Sequence, residues 1–322
     1  MGVGVGAGQG RIRVAFLGAC HAHAAAKMKL VRESARFELV GVAEREVPDG
    51  VRRLSRDEVL RDASIRAVLV ESDTPDHARD AIEALEAGKH VAVEKPPADN
   101  LDDLKKMVRV AVDRGLTLQV GYMWRYNPAM EAAIAAAHQG WLGEIYMVRA
   151  NMNILLGVTE RKQWAAYKGG HMFELGCHLV DAMVRLMGKP VKVTPFLRHD
   201  GGYQDSLRDN TAAVMEWPRA MGVITGSGMQ PNGFAHRLFE VCGTNGTATV
   251  SPIEPPVMTL ELARAAGPYK GGTQVLRMGP HDRHRQELEA LANSVGGPGM
   301  EGRAAQVELA VQETLLGVSG ML

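Results

Sequence analysis

Cysteine is scarce in this chain of 322 residues: Cys20, Cys177 and Cys242 are odd in number and far apart. No disulfide framework and no zinc-type cysteine pairing can be written from them, and a reducing cytoplasm is the expected compartment. An excess of one charge is also missing, since 37 Lys and Arg face 37 Asp and Glu with no long block of either sign. That removes the usual electrostatic signature of nucleic-acid binding or of a membrane anchor. No apolar run approaches the ~20 residues of a membrane span. Met1 to Gly10 is glycine-rich and lacks a charged segment followed by an apolar core, so it reads as a flexible tail and not as a secretion signal. What remains is 46% hydrophobic and 23% charged, an ordinary globular balance, and the length suggests two domains.

The first of these is expected over residues 11–121. Short apolar runs at 14–17, 37–43, 65–70, 90–93 and 116–120 alternate with helical stretches at 19–32, 55–60, 75–87 and 101–114. Ser55 with Glu58 three residues later forms a capping box, and Gly88 ends the third helix. Strands apolar on both faces, each followed by a helix, specify an α/β parallel sheet covered on both sides. From about Pro128 the grammar changes. Helical residues 129–138 and a long strand at 145–154 precede paired runs around Pro218-Arg219 and Asn245-Gly246, the second a strong hairpin signal. Further strands at 258–263 and 274–278 and helices at 284–294 and 303–318 complete an α+β domain, residues 122–322, with a mostly antiparallel open sheet.

Ligands of a parallel sheet bind at the carboxyl ends of its strands. Gly18-Ala-Cys-His-Ala-His23 occupies the first such turn and keeps one glycine of a dinucleotide fingerprint. Glu44 ends the second strand at a spacing suited to a ribose hydroxyl, with Arg45 beside it able to tolerate a 2′-phosphate. Glu71 and His77 follow the third strand, Glu94-Lys95-Pro96 the fourth, and Gly121 to Arg125 the fifth. Acidic Glu71 and Asp73 would oppose a pyrophosphate unless they turn away. In the second domain, Lys168 to Asp181 carries His171, Glu174, His178 and Asp181 on an apolar background. If Met172 onward is a regular helix, Glu174 stacks on His178 and can fix its tautomer for proton transfer. Each group has a plainer reading, as a strand-end charge, a surface lysine or a half-buried helix.

Four segments in order, Ala87-Gly-Lys-His-Val-Ala-Val-Glu-Lys-Pro96, Gly121-Tyr-Met-Trp-Arg-Tyr-Asn-Pro128, Trp164 to Asp181, and Arg237-Leu-Phe-Glu-Val-Cys-Gly-Thr-Asn-Gly246, resemble the Gfo/Idh/MocA family of glucose–fructose oxidoreductase, inositol dehydrogenase and rhizopine-catabolism proteins. The resemblance runs from Arg13 to the final helix. It implies a Rossmann-like domain binding NAD or NADP, a second domain whose open sheet packs in a homodimer or homotetramer, and hydride transfer on a sugar, inositol or related polyol. It further implies that Lys95 touches substrate and cofactor, that His178 is the general acid/base, and that Glu174, where the family usually has aspartate, supports it. Gly18, Cys20, His21, Glu44, Glu71, His77, Glu94, Lys95 and Arg125 are then the cofactor contacts. Tyr122, Arg125, Asn153, Lys162, Trp164 and His171 join Lys95 and His178 as substrate contacts.

The chain departs from the family in its eroded glycine turn, its short segment from Glu44 to Ile65, and the acidic stretch Glu71 to His77. These leave a non-catalytic ligand-sensing or scaffold relative as the alternative. His21-Ala-His23, or His171, Glu174 and His178, would suit a metal-dependent hydrolase, but the strand–helix alternation stops after five strands, and no metal is expected.

Overall fold

The computed structural model describes residues 10–279 and 281–322, so the expected tail lies outside them apart from Gly10. Two compact units result, and neither is continuous in sequence. The first takes the chain up to Glu94, Lys106–Val120 and His284–Glu301; the second takes Lys95–Lys105, Gly121–Arg283 and Gly302–Leu322.

In the first unit β1 (Ile12–Leu17), β2 (Phe37–Ala43), β3 (Ala67–Val70), β4 (His90–Val93) and β5 (Leu118–Val120) form a parallel sheet in the order β2-β1-β3-β4-β5. Their side chains are buried on both faces at β1, β3 and β4, as helix-covered parallel strands require. Helix α1 (Ala24–Glu33), α2 (Arg56–Arg61), α3 (His77–Glu86) and α4 (Leu101–Asp113) separate the strands. The expected capping box is present at α2: the Ser55 side chain accepts from the Glu58 amide, and the Glu58 carboxylate accepts from the Ser55 amide. A helix from the far end of the chain, α8 (Arg285–Ser294), completes this core. Its Leu288, Leu291, Ala292 and Val295 pack with Met28, Val31 and Phe37.

The second unit holds α5 (Pro128–His138), α6 (Val158–Ala165), α7 (Cys177–Met187), α9 (Gly302–Val318) and a sheet of eight strands. These are β6 (Ile145–Asn153), β7 (Lys192–Arg198), β8 (Asn210–Trp217), β9 (Ala220–Ser227), β10 (Leu238–Gly243), β11 (Gly246–Val250), β12 (Val257–Leu262) and β13 (Gly272–Arg277). Their order is β13-β12-β11-β10-β6-β9-β8-β7; only β6 and β9 pair in parallel. Both expected hairpins, β8–β9 and β10–β11, are formed. Asn127 caps α5, its Oδ1 accepting from the amides of Ala129 at 3.0 Å and Met130 at 3.2 Å, while its Nδ2 donates to Ile253 O. Helices α5, α7 and α9 lie on one sheet face. On the other, alternate residues such as Phe196, Met221 and Val275 are 53%, 43% and 57% exposed.

Two elements escaped the sequence reading. Strand β7 contains Pro195, which an edge position tolerates because its nitrogen faces no ladder partner. Helix α6 has no apolar stripe, so its sequence offers no 3.6-residue period. No helix among the described residues is long and apolar enough to cross a membrane.

Candidate active site

At the end of β1 the backbone turns at Gly18 with φ +79°, and a Cβ there would lie 2.4 Å from the Cα of Ser72. Glycine is required by both conformation and space. Beyond it, exposed Cys20 and half-buried Glu44 line a cavity of about 650 Å³ with Ala19, Ala25, Arg45 and Pro48. Glu44 Oε1 accepts from the Arg45 amide at 2.6 Å. Partial burial raises the Cys20 thiol pKa, and the charges of Glu44 and Asp73 add to the rise. The turn therefore sits in a negative field.

Glu71 places its Oε2 3.9 Å from His21 Nδ1 in that turn. It is buried, and its Oε1 lies 2.9 Å from the ammonium of buried Lys27. The same Lys27 Nζ is 2.5 Å from Glu94 Oε1 and 3.0 Å from Glu287 Oε1. Burial pushes the Glu71 carboxyl up to about 8; Lys27 opposes the rise, while Glu94 and Glu287 add to it. Coulombic attraction to the three carboxylates outweighs the burial that would neutralise Lys27 and keeps the amine charged. Histidines close the cluster from outside: His23 Nδ1 lies 3.1 Å from Glu94 Oε1, and His284 Nδ1 lies 3.3 Å from Glu287 Oε2. His77, expected at the cofactor, is fully buried with Nε2 3.0 Å from Ser72 O. Backbone amides at the start of α1 are engaged internally, His21 N donating to Glu71 O, His23 N to His21 Nδ1 and Ala24 N to His21 O.

The second group of expected residues gathers in the other unit. Lys95 is 3% exposed and donates to the Glu174 carboxylate at 2.5 Å and to the Glu174 carbonyl at 3.1 Å. The segment Met172–Gly176 is wound as a π-turn leading into α7, in place of the regular helix expected there. Such a turn bonds i to i+5, so it does not keep the i, i+4 stacking of Glu174 on His178. The Glu174 carboxylate is directed at Lys95. His178 is 1% exposed, with its ring centre 6.3 Å from that of Tyr122 and 5.4 Å from that of Trp124. The indole N–H of Trp124 has no partner among the described residues.

Other expected contacts are committed within this unit. Arg125 is clamped by Asp181 at 2.7 Å and Glu308 at 2.5 Å, with its guanidinium 4.9 Å from the centre of the Tyr122 ring. Asn153 donates to Gln230 and accepts from the Ser227 amide at 2.9 Å. His171 is completely buried 6.1 Å from the Trp164 ring, and neither of its ring nitrogens has a hydrogen-bond partner among the described residues. Burial lowers its pKa to about 3; Arg237 adds to the fall and Asp209 opposes it. Trp164 is half-buried on α6, and Lys162 is exposed.

The sequence reading did not find Lys27, His284, Glu287 or Glu308. A signal existed for two of them. Lys27 falls on the buried stripe Ala24, Lys27, Met28, Val31 of α1, and Glu287 falls on the stripe Glu287, Leu288, Leu291, Ala292 of α8. A charge at a core position of an amphipathic helix asks for a buried partner.

A parallel sheet with an acid at the end of its second strand is the architecture of a dinucleotide-binding domain, and the other unit, taken by itself, holds a buried lysine and histidine. The comparisons agree. Residues 5–122 match the oxidoreductase family with an NAD-binding Rossmann fold, and residues 130–249 match the GFO/IDH/MocA C-terminal domain. The chain belongs to the Gfo/Idh/MocA oxidoreductase family. Pig trans-1,2-dihydrobenzene-1,2-diol dehydrogenase is 28% identical over 54% of this chain and 50% of its own. The chain thus spans about half the length of such curated relatives. An Agrobacterium radiobacter oxidoreductase solved with NAD+, L-tartaric acid and magnesium shares the fold with TM-score 0.81 and 16% identity over 97% of this chain and 96% of that one. The WlbA dehydrogenase of Bordetella pertussis, solved with NADH and UDP-GlcNAcA, gives TM-score 0.77 and 21% identity over 97% and 96%.

Proposed function

We propose that this protein is an NAD(P)-dependent dehydrogenase or reductase acting on a carbinol carbon of a sugar, inositol or related polyol. The observation that carries the proposal is Lys95, placed directly after β4, buried, and aimed by Glu174 four residues before His178. A buried ammonium whose desolvation is offset by a carboxylate, standing at the carboxyl end of a parallel strand, marks a functional-site candidate.

The first unit fits the cofactor at its adenosine half. The cavity beside Gly18 is large enough for a nucleoside, and Glu44 on its wall supplies the acceptor that a ribose hydroxyl needs. Glu71 is paired with the Lys27 ammonium, which offsets the repulsion it would exert on a diphosphate. When bound, the nicotinamide supplies a hydride acceptor, or as the reduced form a donor. His178 takes the hydroxyl proton as the carbinol is oxidised and returns it in the reverse direction. Lys95 polarises the same oxygen, and Glu174 is a positioning residue for Lys95. The non-catalytic alternative gains support only from the amides of His21, His23 and Ala24, which are engaged within the protein.

The test is His178→Ala, assayed with a panel of sugars, inositols and polyols against both cofactors. Turnover should fall by about 100-fold or more, the range of a lost general acid/base, while cofactor affinity holds. Turnover surviving within a few-fold would remove His178 from this role.

A further inference from the structure

The second unit withdraws several arginines from water, and one of them lacks a counter-charge. Arg125 is held by Asp181 and Glu308, and Arg161 by Asp205 and Asp209. Arg237 is 4% exposed, yet no carboxylate among the described residues lies within ion-pair distance of it. It immediately precedes β10 in an extended conformation, so it shares the inner sheet face with Phe239 and Val241, both completely buried. Its Nε donates to Asn153 O at 3.2 Å, and neither Nη donates to a described residue. Glu254, the carboxylate whose field reaches it, is committed to Arg283, with Nε 2.6 Å from Oε1.

Aromatic rings surround the guanidinium in place of an acid. Its Cζ lies 3.8 Å from the centre of the Phe234 ring and 5.7 Å from that of Trp124. Such rings attract a cation but carry no net charge, so the buried charge stays uncompensated. Burial lowers the Arg237 pKa to about 10, Arg283 adds to the fall and Glu254 opposes it, which leaves the group charged near neutral pH. Polar atoms around it are also unengaged. Trp124 Nε1 and both ring nitrogens of His171 are buried without hydrogen-bond partners among the described residues, and the Arg237 charge helps to keep His171 neutral. Buried donors are normally paired, and a cluster of unpaired ones around a lone cation has the chemistry of a hydroxylated anion's binding site.

We propose that Arg237 binds the carboxylate of the substrate, so that the molecule oxidised or formed at His178 is a polyhydroxy acid of the aldonate or uronate class and not a neutral polyol. The planar fork of a guanidinium matches a planar carboxylate through two parallel hydrogen bonds, and one negative charge balances one cation. A phosphate dianion would ask for a second cation. The Trp124 indole connects the two ends of such a substrate: Arg237 Cζ is 5.7 Å from its ring centre and the His178 ring centre 5.4 Å. With a hydrogen bond of about 3 Å at each end, one short hydroxy acid reaches both. The neutral imidazole of His171 and the indole N–H then serve its remaining hydroxyls. This inference rests on the dehydrogenase reading for the role of His178, and on Arg237 alone for the acid.

The experiment is calorimetric titration of the full chain with D-gluconate, D-galactonate, D-glucuronate and D-galacturonate, against D-glucitol, galactitol and D-glucose 6-phosphate. It is run without nucleotide and repeated with NADH and NADPH. At least one acid should bind about tenfold or more tightly than its neutral counterpart, the worth of a hydrogen bond to a charged group. Arg237→Met, of similar length and without charge, should abolish that preference and leave binding of the neutral polyol within a few-fold. Circular dichroism checks that the variant folds. Should it not fold, Arg237→Lys carries the test: it keeps the charge and loses the fork, and should weaken the acid about tenfold with the neutral polyol unchanged. The proposal is overturned if no acid binds, if the sugar phosphate is preferred to every acid, or if the preference survives in a folded variant. Turnover of the same compounds with NAD+ and NADP+ is read separately. An acid that binds through Arg237 without being oxidised refutes the dehydrogenase reading, whereas turnover of neutral polyols with the acids ignored refutes the acid site.

Discussion

Acidification should weaken the fold through His171, and the structure sets the size of the effect. The ring is fully buried, its nitrogens lack hydrogen-bond partners among the described residues, and burial together with Arg237 holds its pKa near 3. In the unfolded chain the same group titrates near 6.5. The folded value is the lower one, so the unfolded state takes up the proton first. Stability is fully present above pH ~6.5 and is lost as pH falls toward the folded value. With these two values the loss from His171 is about 2 kcal/mol at pH 5 and about 3 kcal/mol at pH 4. The assay is urea unfolding of wild type and His171→Leu, a side chain of similar volume with no proton to bind. Other acid-titrating groups act in both proteins and cancel in the difference. Wild type should lose about 2 kcal/mol more than the variant between pH 7 and pH 5. Equal losses would refute the buried, neutral state assigned to His171.

Further consequences are direct. Lys95→Met leaves the Glu174 carboxylate buried without its ammonium, which should destabilise the protein by about 3–5 kcal/mol and abolish turnover; adding Glu174→Gln should recover most of the stability in urea melts and none of the activity. Gly18→Ala forces a side chain into φ +79° and onto Ser72, so denaturation should show a loss of about 1–3 kcal/mol from the backbone alone, and cofactor affinity should drop with it. Asn127→Ala removes the cap of α5 and the bond to Ile253 O, for which thermal unfolding should report a cost of about 1–2 kcal/mol. The sheet face bearing Phe196, Met221 and Val275 should be covered in a homodimer or homotetramer, and Phe196→Lys should shift sedimentation toward monomer.

Most of the fold was legible because its signals are local. Alternating strands and helices gave the parallel sheet, Ser55 with Glu58 gave a helix start, and Asn245-Gly246 gave a hairpin. What stayed hidden depends on tertiary partners. The Lys27 cluster joins residues from α1, the ends of β3 and β4, and α8, so no window of sequence contains it. The π-turn at Met172–Gly176 has no compositional mark, and it redirects Glu174 from His178 to Lys95. Arg125 shows the same limit. Its position after β5 suggested a ligand contact, while the charges that engage it, Asp181 and Glu308, come from distant helices.

The central claim is that the cavity beside Gly18 receives a dinucleotide. Fluorescence titration of the purified protein with NADH and NADPH tests it most directly. Saturable binding of at least one, weakened about tenfold or more by Glu44→Gln through loss of a hydrogen bond to a charged group, is the predicted result. Failure of both nucleotides to bind would contradict the account and leave the non-catalytic alternative in its place.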